Sequence, residues 1–244
     1  MQWYELLIDE LDSDRIYSHK ELTDILQQKR PDLALSTYHW SISSLVRDGK
    51  LYRNGYDAYV RADGKKKTEY WPEYSDIAKK LIDLISEKYP LVEFTIFETV
   101  SMNDFLNHLI AQNTVFVQVE KDCSLFVFRF LQEKGFDNLL YKPRGEDYDL
   151  YWAKNCIVVT NMISEAPLRN DAPHVITLEK MLVDMYADKL ISTTYSKAEY
   201  PDVIEQADSR YCLDKTRMLR YARRRNREND IKVFLEGGSE NAIA

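Results

Sequence analysis

"STYHWSISSLVRDGKLYRNGYDAYV", residues 36–60, decides how the opening part of the chain folds. Tyr38, Ile42, Leu45 and Val46 recur at helical spacing. Ser36 stands where a side chain caps a first turn, and Gly49 where a helix ends in a left-handed residue. Beyond it, Leu51/Tyr52 and Ala58–Val60 flank Asn54-Gly55, a dipeptide that suits a tight hairpin turn because both residues tolerate positive φ. The stretch therefore predicts a helix, a sharp stop and a β-hairpin.

Upstream, "MQWYELLIDEL" places Trp3, Leu6, Leu7 and Leu11 at helical spacing. "SHKELTDILQQK" opens with Ser18 and Glu21, the pair that satisfies helix-end amides from both sides. Leu22, Ile25 and Leu26 give it a buried stripe, and Pro31 closes it. Three helices followed by a hairpin is the winged helix-turn-helix order. Opposite its apolar stripe, the third helix offers Ser36, Thr37, Trp40, Ser43, Ser44 and Arg47, with His39 to the side. Hydroxyls and a guanidinium meet phosphates and base edges, and Arg53, Asn54 and Tyr56 extend that reach from the hairpin. The same layout also serves modules that dock proteins.

The module ends near "RADGKKKTEYWP", where Gly64 and three lysines read as a linker. From there the pattern alternates. "SDIAKKLIDLISEKY" is helical, "VEFTIFETV" a strand, "SMNDFLNHLIAQ" a helix capped by Ser101, and "TVFVQVE" a buried strand. "DCSLFVFRFLQEKG" is a helix stopped at Gly135. "NLLYKP", "YDLYW" and "CIVVTNMI" read as further strands. Alternation of this kind predicts an α/β layer with a partly parallel sheet. The remainder is mainly helical. It ends in one long basic helix, "DKTRMLRYARRRNRENDIKVFL", and a disordered tail over 236–244. The fold class is α+β, with domains over 1–67 and 68–235.

Charge follows the same division. Residues 1–67 hold 11 Lys/Arg and 11 Asp/Glu, residues 68–213 hold 14 and 24, and residues 214–244 hold 8 and 5, which together give the net charge of -7. A neutral head, an acidic middle and a basic tail point to separate tasks. No apolar run approaches the ~18 residues of a membrane span. The acidic N-terminus has no signal-peptide pattern, and the widely spaced Cys123, Cys156 and Cys212 suit a reducing compartment. The expected location is the cytoplasm.

Few motifs point to chemistry. Asp147-Tyr148-Asp149 is an acid-x-acid pair able to hold a divalent metal, but no Gly-Ser phosphate cradle precedes it. Glu98, Glu120 and Lys121 only loosely imitate a nuclease site. His19, His39, His108 and His174 lack metal-ligand spacing, and no glycine-rich phosphate loop is present. The expectation is a chain with no catalytic residue, metal or cofactor. A metal-dependent nucleotidyltransferase or nuclease using Asp147/Asp149 or Glu120 is the alternative. Arg220, Arg223, Arg224 and Arg227 fall at i, i+3, i+4 and i+7, one basic stripe suited either to the acidic middle of the chain or to a partner.

The whole chain resembles the AbiEi-type antitoxins of bacterial type IV toxin–antitoxin systems and relatives of them. The resemblance rests on "STYHWSISSLVRDGKLYR", "VFVQVEKDCSLFVFRFL", "MISEAPL", "TLEKMLVDMYADK" and "LRYARRR". It implies a winged helix that binds duplex DNA at the promoter of its own operon. It also implies a nucleotidyltransferase-like α/β domain without catalysis that counters a nucleotidyltransferase toxin in phage defence. Wings of that family often carry Arg after the turn glycine, where this chain has Tyr56. A monomer or weak dimer is expected.

Overall fold

The computed structural model describes residues 2–13, 15–53, 57–62, 67–151 and 155–236, and divides into two compact units. The first comprises Met1–Trp71 with Gln206–Cys212, and the second Pro72–Glu205 with Leu213–Ala244.

In the first unit a 3₁₀ turn (Trp3–Glu5) leads into α1 (Leu6–Glu10), followed by α2 (His19–Lys29) and α3 (Leu35–Arg47). The strands β1 (Leu51–Arg53) and β2 (Tyr59–Arg61) pair antiparallel, with Tyr52 opposite Val60. The Ser18 hydroxyl accepts from the Glu21 amide at 3.2 Å, and the Glu21 carboxylate accepts from the Ser18 amide at 2.8 Å. That reciprocal cap fixes the start of α2. α3 begins two residues earlier than expected, with Ala34 rather than Ser36 at its cap. It ends as the sequence predicts: Gly49 has φ +66°, and the Gly49 and Lys50 amides return to the Val46 and Leu45 carbonyls. Between α1 and α2, Tyr17 forms an antiparallel bridge with Tyr59, each amide donating to the other carbonyl at 2.8 Å. Leu7, Leu22, Leu26, Tyr38, Ile42, Leu45, Leu51 and Tyr59 close the core.

In the second unit α4 (Asp76–Lys88) precedes a four-stranded mixed sheet of order β3-β4-β6-β5, with β3 Phe94–Glu98, β4 Thr114–Val119, β5 Leu139–Tyr141 and β6 Cys156–Asn161. β3 runs antiparallel to β4, whereas β4, β6 and β5 are mutually parallel. α5 (Ser124–Glu133) and α6 (Gly145–Tyr151) flank β5 in sequence. Every residue of β3 and β4 is buried. Both faces of these strands are therefore covered, and the buried positions include the polar Thr95, Glu98, Thr114 and Gln118. α7 (Leu178–Ala187), α9 (Lys215–Arg224) and α10 (Glu228–Leu235) follow, and α8 (Tyr200–Arg210) ends within the first unit's residues.

Three elements depart from expectation. "YDLYW" contributes to the helix α6, not to a strand: Asp147 and Glu146 lie in its first turn, and the Asp147 carboxylate accepts from the Arg144 amide at 3.2 Å. Acids are favoured at that helix end, where amides point outward. "SMNDFLNHLIAQ" yields only a 3₁₀ segment, Thr99–Asp104. Side chains then take over the backbone bonds. Asn103 exchanges two with Ile110, and Glu199 accepts from the Asn107 and His108 amides, an alternative to the helical ladder. The long basic helix is broken at Asn226, whose φ of +56° ends α9 before α10 begins. Asn is among the few residues that adopt this conformation at low cost.

Among the described residues no helix is long and apolar enough to cross a membrane.

Candidate functional site: the outer face of α3 and a cationic cleft

Two surfaces concentrate chemistry, one in each unit.

The first is the outer face of α3. Ser36, His39 and Trp40 are exposed; Thr37, Ser43 and Arg47 are half-buried. Ser44 is fully buried, contrary to its expected place on the outer face, and its hydroxyl accepts from Arg47 at 3.1 Å. The correction is one of helical phase: Ser44 neighbours Leu45 and lies over the core side with Ser41, whose hydroxyl donates to the Thr37 carbonyl at 2.8 Å. Trp40 is held edge-on against Tyr4, ring centres 5.6 Å apart. The His39 ring meets that of His19 at 4.8 Å. Arg210, of the first unit, donates to the Arg47 carbonyl at 2.6 Å and so satisfies the end of α3. α3 contains no acidic residue from Leu35 to Arg47. Asn54 and Tyr56 lie outside the described residues, and of Arg53 only the backbone, in β1, is described.

The second surface is a cleft of about 760 Å³ in the second unit, at the carboxyl ends of the parallel strands. Phe116 and Gln118 of β4 form its floor beside Thr160 and Asn161 of β6. Lys142, Arg144, Asp188, Lys189, Arg224 and Arg225 also line it. Open α/β sheets place ligands outside the carboxyl ends of their strands.

Beneath the floor lies a buried polar network. The Lys180 ammonium donates to the Asp184 carboxylate at 2.5 Å and to the Gln118 carbonyl, and the Gln118 amide donates to the same carboxylate at 3.1 Å. The Tyr221 hydroxyl donates to the second Asp184 oxygen at 2.9 Å. Arg225 lies 3.6 Å from Asp184 and 3.2 Å from Asp188. Burial opposes the charge on Asp184, but the Lys180 ammonium and then the Arg225 guanidinium outweigh it and hold the carboxyl below the usual range. Burial and the Asp184 charge push the Tyr221 phenol well above its ordinary value, so it stays a donor. Sequence reading missed this network. Its trace is Lys180 and Asp184, two charges at i, i+4 on α7, whose first eight residues are all buried.

The arginine stripe is not one surface. Arg220 is exposed. Arg223 bonds Glu228 through two 2.7 Å contacts, and Arg224 donates to the Ser164 hydroxyl. Arg227 sits past the break at Asn226, as the cap residue of α10, so it does not continue the row. Arg225, which lies off the predicted stripe, is the one drawn into the network.

Three acids of the enzymatic alternative, Glu98, Glu120 and Asp147, each accept hydrogen bonds. Glu98 is buried and accepts from the Ser75 amide and hydroxyl at 2.8 and 2.6 Å, bracing the start of α4. Glu120 accepts from the Glu93 amide at 3.2 Å. Asp147 caps α6, and of Asp149 only the backbone is described. Among the described residues no group of three or more His, Cys, Asp or Glu is placed to hold a metal ion.

The fold is thus a helix-and-hairpin module followed by a mixed-sheet α/β unit with a cationic cleft. The sequence matches a family of unknown function, DUF6577, over residues 37–241, and the chain belongs to that family. A comparison with curated proteins finds no match.

Proposed function

We propose that this chain is a DNA-binding regulator of the antitoxin type. In this reading the first unit is a winged helix-turn-helix that lays α3 in the major groove of its own promoter. The second is a non-catalytic, nucleotidyltransferase-like domain that counters a nucleotidyltransferase toxin, with Arg220, Arg223 and Arg224 of α9 available to that partner. One observation carries the DNA-binding part. The order α2, α3, hairpin is joined by the Tyr17–Tyr59 bridge, which ties the segment before α2 to the hairpin. That leaves an α3 face of Ser36, His39 and Trp40 without a carboxylate. A helix free of acids is what a polyanion requires at close approach. The antitoxin part rests on the resemblance set out above.

The test introduces the missing charge. Ser36→Glu with His39→Glu places carboxylates at two exposed positions. In a mobility-shift assay with the operon's promoter, wild type should bind with an affinity that falls steeply with salt. The double variant should lose each contact at ~1–3 kcal/mol. Equal shifts by both proteins would remove α3 from the interface. A second reading, a protein-docking face, is favoured by Leu35 and Trp40, exposed at 57% and 51%. It predicts that Trp40→Ala abolishes partner capture while salt has little effect.

A further inference from the structure

We propose that the cleft at the carboxyl ends of β4, β5 and β6 is a binding site for a nucleoside di- or triphosphate.

The argument begins with charge. Five cations line the cleft, Lys142, Arg144, Lys189, Arg224 and Arg225, against one carboxylate, Asp188. This occurs in a chain whose net charge is -7. The carboxylate is already spent: one Asp188 oxygen accepts from the Leu190 and Ile191 amides at 2.9 and 3.3 Å, and the other faces Arg225 at 3.2 Å. Arg225 is likewise consumed, shared between Asp184 and Asp188. Arg144 and Lys189 are not. Among the described residues the side chains of Arg144 and Lys189 have neither a hydrogen bond nor an ion pair. Lys142 lies over the Tyr141 ring at 4.7 Å, and Arg224 has only exposed partners, Ser164 and Glu165. Cations gathered from three separate segments around one concavity repel each other, and an anion bound between them relieves that repulsion.

The floor supplies the second half. Phe116 with Pro143, Ile163 and Leu190 gives the cleft an apolar portion beside the charges. The volume of about 760 Å³ lies within the roughly 300–1,000 Å³ of small-molecule sites. A ligand with both a flat apolar ring and more than one phosphate matches both halves. Side-chain cations would hold the phosphates here, which is consistent with the absence of a glycine-rich loop. The buried network acts from below: Lys180 and Asp184 grip both ends of the Gln118 amide, so that part of the floor is set before any ligand arrives. This inference does not depend on the DNA-binding reading, since every residue it uses belongs to the second unit.

The test uses the full chain and a fluorescent ADP derivative carrying its label on the ribose. Wild type should bind it with a dissociation constant below about 1 mM. Unlabelled ADP and inorganic pyrophosphate should compete, and adenosine should not. Arg144→Glu with Lys189→Glu should weaken binding at least ten-fold without a change in melting temperature, because both side chains are exposed and unpaired. Arg144→Lys with Lys189→Arg, which keeps the charges, should retain it. Should the Glu variant fail to fold, Arg144→Gln with Lys189→Gln makes the same comparison. No binding up to several millimolar, equal binding by the charge-loss variant, or competition by adenosine as strong as by ADP would each overturn the proposal. So would a single-stranded 12-nucleotide RNA that displaces the probe while ADP does not, since the cleft would then be part of a polymer track.

Discussion

The outer face of α3 and the floor of the cleft are built in opposite ways. Behind α3 the support is apolar: Tyr38, Ile42 and Leu45 are fully buried, and the outer face meets solvent through short polar groups and one indole. Below the cleft the support is ionic: Lys180 and Asp184 are wholly inaccessible and joined through Gln118, Tyr221 and Arg225. An apolar support tolerates changes on the exposed side, because no buried charge depends on them. An ionic one couples each member to the rest, because removing one charge strands another in a medium that solvates it poorly.

The largest expected effect separates the two. Lys180→Met removes a buried cation and leaves Asp184 with Arg225 at 3.6 Å as its remaining charged partner. Breaking a buried pair in this way costs about 3–5 kcal/mol. Hydrogen exchange at the α7 amides should report that loss, whereas Ser36→Glu with His39→Glu should leave α3 exchange nearly unchanged. The double variant Lys180→Met with Asp184→Leu should recover much of the stability, since no charge is then stranded. If the single variant proves as stable as wild type, the network is not the support described here.

Acid should act in the same direction but less strongly. The Asp184 carboxyl is held below its usual range in the folded chain. Its contribution is therefore fully present above the unfolded value of about 4 and is lost as pH falls through the folded one. Glu21 in the first unit is also lowered, first by the Ser18 amide and then by the Ser18 hydroxyl, but it is solvent-exposed. Urea midpoints measured from pH 6 down to pH 3 should fall, with amide exchange rising earlier in α7 than in α2. A flat profile in α7 would break the comparison.

How far the sequence revealed these two surfaces follows from the same contrast. The helix-and-hairpin module was legible because its signals are local. The Ser18–Glu21 cap, Gly49 and the stripe of Tyr38, Ile42 and Leu45 each act within a few residues. Ser44 was misplaced because its neighbours on one helix turn are both core and surface, and the phase is settled only by packing. The cleft was not legible. Gln118, Arg144, Lys189 and Arg225 come from separate segments that only the tertiary fold brings together. The break at Asn226 has a signal, a residue that tolerates positive φ amid good helix formers, but propensity favours continuation on either side. The strand assigned to "YDLYW" failed because so short a stretch, in which Tyr148 is buried while Leu150 and Tyr151 are exposed, has no periodicity to read.

A smaller effect tests the local signals directly. Ser18→Ala removes the hydroxyl that accepts from Glu21 and should cost about 1 kcal/mol, seen as faster exchange in the first turn of α2. Since α2 packs against α3 through Leu22 and Leu26, promoter affinity should decline modestly if α3 is the reading element. Exchange in α7 should not respond.

The smallest expected effect on stability belongs to Arg223→Glu with Arg224→Glu. Both guanidinium groups sit at the surface, with side-chain exposures of 71% and 47%. Their partners Glu228, Ser164 and Glu165 are themselves accessible, and pairs of this kind contribute only ~0–1 kcal/mol each. The variant should therefore melt within a few degrees of wild type. Buried Arg225, one residue further on, is left in place, so the network below the cleft stays whole. Two activities then diverge. Promoter binding should persist, since α9 plays no part in the α3 face. Rescue of cells expressing a neighbouring nucleotidyltransferase toxin should be lost if α9 meets that partner, because a reversed patch repels what it formerly attracted and slows association. Full rescue by the well-folded variant would take α9 out of the antitoxin reading. A melting temperature lowered by tens of degrees would mean that the surface of α9 supports the second unit as strongly as its buried side does.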